Sequence, residues 1–517
     1  MREQGFQRNP KKIVRNTTFL YIRMLILMVI SLYTSRLVLK ELGITDYGIY
    51  NVIGGLITIF SFINGSMAQA SQRFITFEVG TGNLDSLKKI FSTCVYIHFF
   101  LAGVIVFLGE TIGLWYVYNV AVIPADRFTA ALWIYQCSIV VSCATIITVP
   151  YNALIIAHER MSAFAYLTIL EASLKLGIAF LLVIMSFDRL IGYGILMGLL
   201  SVIMRFIYGI YSRRVFPEAH LSWQFDKTYV RKIGSFVGWS LWGSVAAAGY
   251  SQGLNLLINF FFSPAINAAR GIAVTVQSVV RNFSNNFQVA VNPQITKSYA
   301  SNDIEYMHSL IYRASLFSFF LFFLVALPVF LEIDTLLSLW LVETPEYTNI
   351  FIRILLAISS IELLASPLNV SAQATGDIKK YEITISIILL LIVPIAYFVL
   401  RLNPVPENVF WVFLFQVCIA QVARILLMKN KIGLSLHKYI RCVIFRIISV
   451  CTISSIIPLY LHYRIEGEIL RLILVSVGCA SFTPVLIFFL GLDKKERESI
   501  VSALKHRFGK CSKQGIG

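Results

Sequence analysis

The chain has 517 residues, of which 57% are hydrophobic and only 14% are charged, and its formal net charge is +17. Soluble domains usually carry about 25% charged residues. The composition therefore excludes an ordinary soluble protein and indicates a polytopic membrane protein.

Apolar windows of about 20 residues, the length that spans a bilayer core as a helix, recur from Tyr21 to Leu490. Lipid offers no partner for backbone N–H and C=O groups, so each window must be a helix or part of a closed barrel. The windows are longer than barrel strands and lack their strict alternation. We therefore predict an all-α protein with fourteen transmembrane helices, at 16–39, 47–76, 91–118, 128–156, 162–186, 190–212, 232–260, 265–297, 309–331, 349–372, 382–400, 408–428, 440–461 and 468–490.

Lysine and arginine residues are distributed unevenly between the two sides of this layout. With the N-terminus in the cytoplasm, the cytoplasmic connectors and tails, counted with the adjoining helix ends, hold 27 of the 44. The opposite side holds seven, namely Arg36, Lys40, Arg127, Arg189, Arg401, Arg464 and Arg471. This bias follows the positive-inside rule, and an even number of spans places both termini in the cytoplasm. The basic charge is thus a topology signal, and we predict no nucleic-acid partner.

The chain also repeats itself at an offset of 217. Pro150-Tyr-Asn-Ala-Leu-Ile-Ile-Ala157 matches Pro367-Leu-Asn-Val-Ser-Ala-Gln-Ala374 in its Pro, its Asn and its last Ala. Six spans per repeat preserve orientation, so the halves are predicted to be parallel repeats, a transporter arrangement with a site at their interface. The predicted division is an N-lobe at 1–212, a cytoplasmic connector at 213–231, a C-lobe at 232–430, two extra helices at 431–491 and a basic cytoplasmic tail at 492–517.

The eighth predicted span contains the stretch ARGIAVTVQSVVRNFSNNFQ, residues 269–288, which is unusually polar for a membrane helix. At 100° per residue its polar side chains form one stripe. The stripe comprises Arg270, Gln277, Arg281, Asn285 and Gln288. A charge that faces lipid costs about 2.5–3.5 kcal/mol at a helix centre. The two arginines are therefore predicted to face protein or water, and the stripe is predicted to bind substrate.

Four other ionisable residues within spans are candidates. Arg23 has no acidic residue one turn away and joins the predicted substrate-binding set. Glu171 and Lys175 are one turn apart, so they either neutralise each other or form a proton or cation site. Glu362 has no partner at helical spacing and is a candidate for ion coupling.

The in-span arginines make the predicted lumen cationic, so its ligand is expected to be anionic. We predict that Arg23, Arg270 and Arg281 converge in one central cavity. The eight cysteines form no C-x-x-C motif and no cluster with histidine, so neither a disulfide framework nor a metal site is predicted. We expect no cofactor, although coupling to H⁺ or Na⁺ stays open.

The run SRLVLKELGITDYGIYNVIGGLITIFSFINGSMAQASQRF at 35–74 resembles the opening of Wzx-type polysaccharide flippases. In that family a Leu-Gly pair ends the first span and an acidic-Tyr-Gly motif begins the second. The corresponding residues are Leu42-Gly43 and Asp46-Tyr47-Gly48. Ile44-Thr45 departs from the family, in which Pro followed by an acidic residue is frequent.

The resemblance implies a member of the MATE-like exporter superfamily that transports and is not an enzyme. Such flippases move undecaprenyl-pyrophosphate-linked oligosaccharides from the cytoplasmic to the periplasmic leaflet of the bacterial inner membrane by alternating access. They serve O-antigen, lipopolysaccharide or capsule synthesis. The implied partners are the lipid-linked oligosaccharide, membrane lipids and other polysaccharide assembly proteins.

Three alternatives remain open at this stage. A lipid II flippase shares the fourteen spans and the cationic cavity. A multidrug exporter or cation antiporter of the same superfamily typically has twelve spans and acidic residues in the first. A polysaccharide polymerase or ligase is more distant, because it would need a larger outer loop than this chain offers.

Overall fold

The computed structural model describes residues 10–58, 61–119, 123–221, 227–262, 264–341, 344–493 and 497–498. Every regular element in these ranges is helical, which confirms the predicted all-α class. The basic N-terminal residues 1–9 and nearly all of the predicted tail at 492–517 lie outside the described residues.

The described residues of the first half of the chain form seven α-helices. They are α1 (Pro10–Thr58), α2 (Ser61–Thr81), α3 (Leu84–Leu108), α4 (Leu114–Asn119), α5 (Phe128–Ala157), α6 (Met161–Ile184) and α7 (Arg189–Val215). Helix α1 is kinked at Gly43, whose φ of 76° lies in the left-handed region that glycine adopts without strain. The kink therefore separates the first predicted span from the second.

Within the described ranges, the second half of the chain forms eleven α-helices. They are α8 (Lys227–Phe261), α9 (Pro264–Ala300), α10 (Ile304–Leu331), α11 (Ile333–Trp340), α12 (Thr348–Ala374), α13 (Lys379–Leu390), α14 (Ile392–Leu402), α15 (Asn408–Ile432), α16 (Leu436–Tyr439), α17 (Phe445–Arg464) and α18 (Glu468–Leu486). Gly433 ends α15 with a φ of 69°, and its N–H bonds the last free carbonyls of that helix.

Eleven helical segments among the described residues are long and apolar enough to cross a membrane, which indicates a multi-pass membrane protein. They are Arg15–Gly43, Leu84–Asn119, Ala125–Ala157, Met161–Ile184, Arg189–Val215, Ile304–Leu331, Thr348–Ala374, Lys379–Leu402, Asn408–Ile432, Leu436–Arg464 and Glu468–Gly491. Three further long segments are more polar, namely α8, α9 and the part of α1 beyond the kink continued by α2. Together these segments agree with the fourteen predicted spans.

The contacts of the chain divide it into two compact units. Unit 1 comprises Met1–Ala248, Val289–Met307 and Val370–Ser386, and unit 2 comprises Gly249–Gln288, His308–Asn369 and Ile387–Gly517. Unit 1 therefore contains the predicted N-lobe and connector together with the larger part of α8, the last turns of α9, the first turn of α10, the end of α12 and the larger part of α13. The predicted lobes describe a repeat in sequence, whereas the units group residues that touch, so the lobe boundaries stay a prediction.

Helix α5 is at the centre of unit 1, where it packs against α2, α3 and α7, while α1 packs against α6. Tyr151 of α5 and Phe91 of α3 are fully buried, and their rings meet edge to face with centroids 5.3 Å apart. Such aromatic pairs add roughly 0.5–1.5 kcal/mol beyond the area that they bury. The repeated motif that begins at Pro150 is thus part of a packed core.

In unit 2 the two extra C-terminal helices are anchored by one buried carboxylate. Glu332, which immediately precedes α11, has no exposed surface. It accepts hydrogen bonds from His462 Nδ1 of α17 at 2.7 Å and from Arg471 Nε of α18 at 3.0 Å. A buried charge must be paired, so this contact ties both helices to the rest of the unit.

Arg127 joins three segments of unit 1 at the predicted outer end of the helices. Its guanidinium bonds both carboxylate oxygens of Asp46, and its Nη1 lies 2.6 Å from Asp188 Oδ2. Asp188 also caps α7 by accepting the N–H groups of Leu190 and Ile191. Burial alone would raise the pKa of the Asp188 carboxyl, but the bonds from Arg127 and the two N–H groups lower it overall. The acidic residue of the Asp-Tyr-Gly motif therefore has a structural role.

We predict that Arg127→Gln destabilises the protein by about 2 kcal/mol, because two partly buried carboxylates lose their cation. The apparent melting temperature in detergent should fall accordingly. The control Arg401→Gln removes an exposed guanidinium that donates to the hydroxyl of Tyr397, and it should change stability by less than about 0.5 kcal/mol.

The difference between wild type and Arg127→Gln should also depend on pH. The pKa of Asp188 is lowered in the folded protein. Its contribution is therefore fully present above about pH 4, the ordinary aspartate pKa, and is lost as the pH falls below that value. Equal melting temperatures for the two arginine variants would contradict the structural role of Arg127.

Candidate functional site

A polar cavity of about 540 Å³ lies within unit 1. Its polar lining comprises Arg23, Asn64, Thr145, Thr148, Asn152, Thr168, Glu171, Ser201 and Tyr208. The amide oxygens of Asn64 and Asn152 are buried and have no hydrogen-bond partner in the described structure. Buried polar atoms are normally satisfied, so a cavity of this size with unused acceptors is suited to water or to a polar ligand.

Arg23 enters this cavity from α1. Its Nε donates to Thr168 Oγ1 at 2.8 Å, and its guanidinium lies 4.4 Å from the centre of the Phe164 ring. Among the described residues it forms no ion pair. The guanidinium is therefore held in place by a neutral hydroxyl and an aromatic face, and its positive charge is not neutralised by a carboxylate.

Glu171 and Lys175 form the ion pair that their spacing on α6 predicts. Lys175 Nζ lies 2.7 Å from Glu171 Oε1, and both side chains are more than a third exposed. This geometry favours mutual neutralisation, because each charge has its partner one turn away. Their involvement in ion coupling stays a prediction. In the described part of the chain no cluster of three or more His, Cys, Asp or Glu residues could hold a metal ion.

In unit 2, Arg270 projects from α9 onto α8. Its Nη1 donates to Asn255 Oδ1 at 2.6 Å and its Nη2 donates to the backbone carbonyl of Ser251 at 3.0 Å. Its Nε is buried without a partner. Both acceptors are neutral, so Arg270, like Arg23, keeps an uncompensated positive charge inside a predicted span.

Arg281 differs from Arg270 because it has a carboxylate partner. Its Nη1 lies 2.5 Å from Glu362 Oε2 of α12, and the two side chains are 36% and 19% exposed. The sequence shows no partner one turn from Glu362, because Glu362 lies on α12 and its partner, Arg281, lies on α9. The pair is only partly buried, so both groups remain accessible from one side.

The amide side chains of the stripe are also largely engaged by α12. Gln277 donates to Ser359 Oγ at 2.7 Å, and Gln288 donates to the carbonyl of Leu363 at 3.3 Å. Gln288 is buried, whereas Asn285 is half-buried. The stripe thus packs against α8 and α12, and Asn285 is the amide that these contacts leave least constrained.

Two polar contacts that the sequence did not reveal occur in unit 1. In the first, Lys297 Nζ of α9 lies 2.6 Å from Glu159 Oε1, which follows α5. Gln294 donates to the other carboxylate oxygen at 3.1 Å, and Asn16 donates to the Glu159 carbonyl at 3.1 Å. Glu159 and Lys297 are only 4% and 6% exposed. We call this group the Glu159 contact.

The second contact, the Arg73 contact, joins α2 to the end of α12. Arg73 Nε donates to the carbonyl of Gln373 at 3.0 Å, and its Nη2 donates to that of Ala374 at 2.9 Å. A guanidinium at a helix C-terminus satisfies free carbonyls and faces the negative end of the helix dipole. Gly376 makes room for it, since a Cβ there would lie 2.7 Å from Nη2.

The repeated motif offers a signal that could have revealed both contacts. Glu159 follows the first copy by two residues, and Ala374 is the last residue of the second copy. The charged partners come from α2 and α9, which correspond to the second and eighth predicted spans. Each long polar span therefore bonds the end of a motif-bearing helix from the other repeat.

Comparisons with known proteins identify the fold. No protein-family model matches the sequence, and no curated protein matches it either. The structure is similar to an outward-facing multidrug resistance MATE family transporter of the MOP superfamily, with a TM-score of 0.71 and 12% identity over 82% of this chain and 96% of that one. It is also similar to a MATE in the bent conformation, with a TM-score of 0.68, 13% identity and coverage of 82% and 95%.

A further similar structure is the Vibrio cholerae MATE transporter VcmN in the bent form. The TM-score is 0.66 at 18% identity, over 82% of this chain and 97% of that one. At such identities the likeness establishes the fold alone. The chain therefore has a MATE-like fold, which agrees with the superfamily that the sequence resemblance implied.

The unit 1 cavity can be tested for water with an introduced cysteine. In a variant that lacks the native cysteines, Thr148→Cys places a thiol on the cavity wall. Leu199→Cys places one on the exposed apolar outside of α7. Thiols react as thiolates, which require water. We expect a small water-soluble methanethiosulfonate reagent to modify Thr148→Cys roughly tenfold faster in a lipid bilayer. Equally slow reaction of both would show that the cavity is dry.

Proposed function

We propose that the protein is a flippase that moves an undecaprenyl-pyrophosphate-linked oligosaccharide from the cytoplasmic to the periplasmic leaflet of a bacterial inner membrane. The observation that carries this proposal is the state of Arg23 and Arg270. Each lies in a predicted span, is partly buried, and is held only by neutral groups. A guanidinium that no carboxylate neutralises is costly in a membrane and is therefore suited to an anionic ligand.

The chemistry of the proposed substrate matches this arrangement. A pyrophosphate is strongly hydrated and cannot cross hydrocarbon unaided, whereas its polyprenyl tail can remain in lipid. Arginine presents a planar set of N–H donors that fits phosphate oxygens. In this proposal Arg23 and Arg270 bind phosphate, and their convergence with Arg281 in one cavity stays a prediction.

Fewer amide side chains of the stripe are available to contact the sugar than the sequence suggested. Gln277 and Gln288 already donate to α12. Asn285 is half-buried, and we assign it to the sugar hydroxyls, for which an amide supplies both donor and acceptor. The two glutamines would then orient α9 against α12. Gln277 would reach the substrate through its amide oxygen, because its NH₂ group donates to Leu355 and Ser359, whereas Gln288 keeps its oxygen and one N–H.

Ion coupling is proposed at the pair of Arg281 and Glu362. A phosphate that approaches Arg281 would compete with Glu362 for the guanidinium. Protonation of Glu362 or a bound Na⁺ beside it would release Arg281 to the substrate. Glu171 with Lys175 is a second candidate for the same role. Either pair would link transport to an H⁺ or Na⁺ gradient without any cofactor.

Alternating access requires contacts that hold one side closed and can break. The Glu159 contact and the Arg73 contact join segments of the two predicted repeats within unit 1. In the predicted topology both lie on the cytoplasmic side. We assign them to the closed cytoplasmic side of the transport cycle. Their breakage would admit the lipid-linked substrate from that leaflet.

A second candidate function is multidrug export. The similar structures include a multidrug resistance MATE family transporter, and the unit 1 cavity contains an acidic residue, Glu171, that could attract a cationic drug. Lipid II flipping uses the same pyrophosphate chemistry as the first proposal and differs from it in the sugar. Other polysaccharide assembly proteins are expected partners only under the first proposal.

Transport can be tested in proteoliposomes that contain a fluorescent lipid-pyrophosphate oligosaccharide, by measuring its accessibility in each leaflet. We expect Arg23→Gln and Arg270→Gln each to slow translocation about tenfold or more, since a charge-assisted hydrogen bond is worth about 1.5–3 kcal/mol. The control Arg353→Gln removes an arginine that pairs with exposed Asp334, and it should translocate like wild type.

Each other result of the transport assay has a definite meaning. Unchanged translocation in both folded variants would remove these arginines from the substrate site. No translocation by wild type, together with efflux of a cationic drug, would support multidrug export and contradict the flippase proposal. Equal translocation of lipid II would show that the sugar is not selected.

The closed-side contacts can be tested by Glu159→Gln combined with Lys297→Met. This pair removes both charges at once, so no uncompensated charge is left buried. In the Thr148→Cys background, we expect thiol labelling from the cytoplasmic side to become severalfold faster, because the closed state loses an ion pair. The control is Arg160→Gln on the same connector, whose guanidinium faces the Phe216 ring at 5.5 Å. Unchanged labelling in the folded double variant would contradict the assignment.

A further inference from the structure

A second concavity of unit 1 opens on the outside of the helices, between α3, α5 and α7. Its volume is about 460 Å³, within the range of small-molecule sites. Phe99, Val140 and Phe206 form apolar walls and are themselves exposed. Apart from Ala144, its lining residues differ from those of the polar cavity. Because α3, α5 and α7 belong to candidate spans, this concavity faces the hydrocarbon of the membrane. We call it the lipid groove.

Two arginines of α7, Arg205 and Arg213, line the lipid groove. Arg205 stacks its guanidinium 4.1 Å from the centre of the Tyr151 ring, and its Nε is buried with no partner. A Cβ at Gly209 would lie only 2.8 Å from Arg205 Nη1, so the guanidinium extends one turn toward the end of the helix. Arg213 follows Gly209 by one helical turn and is exposed.

The positive charges of Arg205 and Arg213 are energetically unfavourable in this position unless an anion binds them. Among the described residues neither Arg205 nor Arg213 forms an ion pair. Their Cα atoms are about 12 Å apart along the helix, and the reach of Arg205 toward Gly209 roughly halves that separation. A guanidinium beside lipid is unfavourable by several kcal/mol at a span centre and seeks the interface or a partner.

The shape of the lipid groove matches its charge. Arg213 lies at the end nearest the predicted cytoplasmic surface, Arg205 lies about 12 Å deeper with its guanidinium directed back toward Gly209, and the walls that continue into the membrane are apolar. From Val202 to Arg213 the lined length of α7 is roughly 16 Å. A ligand that fits has one anionic head and one long apolar chain, with no requirement for a sugar.

We propose that the lipid groove binds an anionic phospholipid, with its phosphate on Arg205 and Arg213 and one acyl chain along Phe99, Val140 and Phe206. Charge complementarity at one end and apolar walls at the other support this occupant. The site is independent of the proposed flippase substrate, which would be held by Arg23 and Arg270. The bound lipid would offset part of the positive charge of the two arginines and fill the space between α3, α5 and α7.

Native mass spectrometry of the full-length protein in detergent tests the proposal, with phosphatidylglycerol and phosphatidylcholine of identical acyl chains as probes. We expect wild type to bind one phosphatidylglycerol about tenfold more tightly than phosphatidylcholine, because phosphatidylglycerol has a net negative charge whereas the choline cation offsets the phosphate and is repelled by the two arginines. Arg205→Gln with Arg213→Gln should abolish that preference. The control Arg189→Gln with Arg401→Gln removes two arginines at the opposite helix ends and should retain it.

A second variant tests the acyl-chain part of the lipid groove. Val140→Trp places a large side chain in it from α5 and should weaken binding of both phospholipids by about tenfold, since apolar area is lost to the ligand. An undiminished preference for phosphatidylglycerol in the double arginine variant would overturn the proposal. Displacement of the lipid by equimolar inorganic phosphate would overturn it as well, as would tighter binding of a polyprenyl phosphate.

Discussion

A charge that is buried between helices needs a partner within the protein, and this constraint accounts for the polar contacts that join distant segments of the chain. Water that would solvate a charge at a soluble surface is missing from hydrocarbon. Glu332 accordingly binds His462 and Arg471, and in doing so fastens the last two helices. Arg127 uses two carboxylates to join the kinked start of the second span to two neighbours. The ion pairs therefore also hold neighbouring helices together in this protein.

The same constraint explains how the internal repeat appears in three dimensions. The matched motifs end two helices, and an end of a helix exposes carbonyls that need donors. Arg73 serves the second copy directly, and Lys297 bonds the carboxylate that follows the first. The two contacts lie at corresponding positions of the two repeats. One is an ion pair, whereas the other consists of hydrogen bonds from a guanidinium to backbone carbonyls.

The arginines within the predicted spans differ in whether an acidic residue pairs with them, and this difference bears on function. Arg23 and Arg270 are positioned by neutral groups, whereas Arg281 has an acidic partner. In the proposed function the first two would bind an anion, and the third would exchange its carboxylate partner for an anion. Arg205 belongs to the unpaired class as well, but it faces the outside of the helices, where a phospholipid can reach it. Location decides which anion each guanidinium can meet.

The sequence by itself determined the all-α class, the spans and the polar stripe of α9, because a span must be about 20 apolar residues long and lipid penalises every departure from that pattern. It also identified Glu171 with Lys175, since partners one turn apart are visible in a linear chain. Only the tertiary structure decided that Glu362 pairs with Arg281, that the stripe packs on α12, and that Glu159 is buried. Such partners lie on different helices, and their pairing depends on how helices pack, which no local spacing encodes.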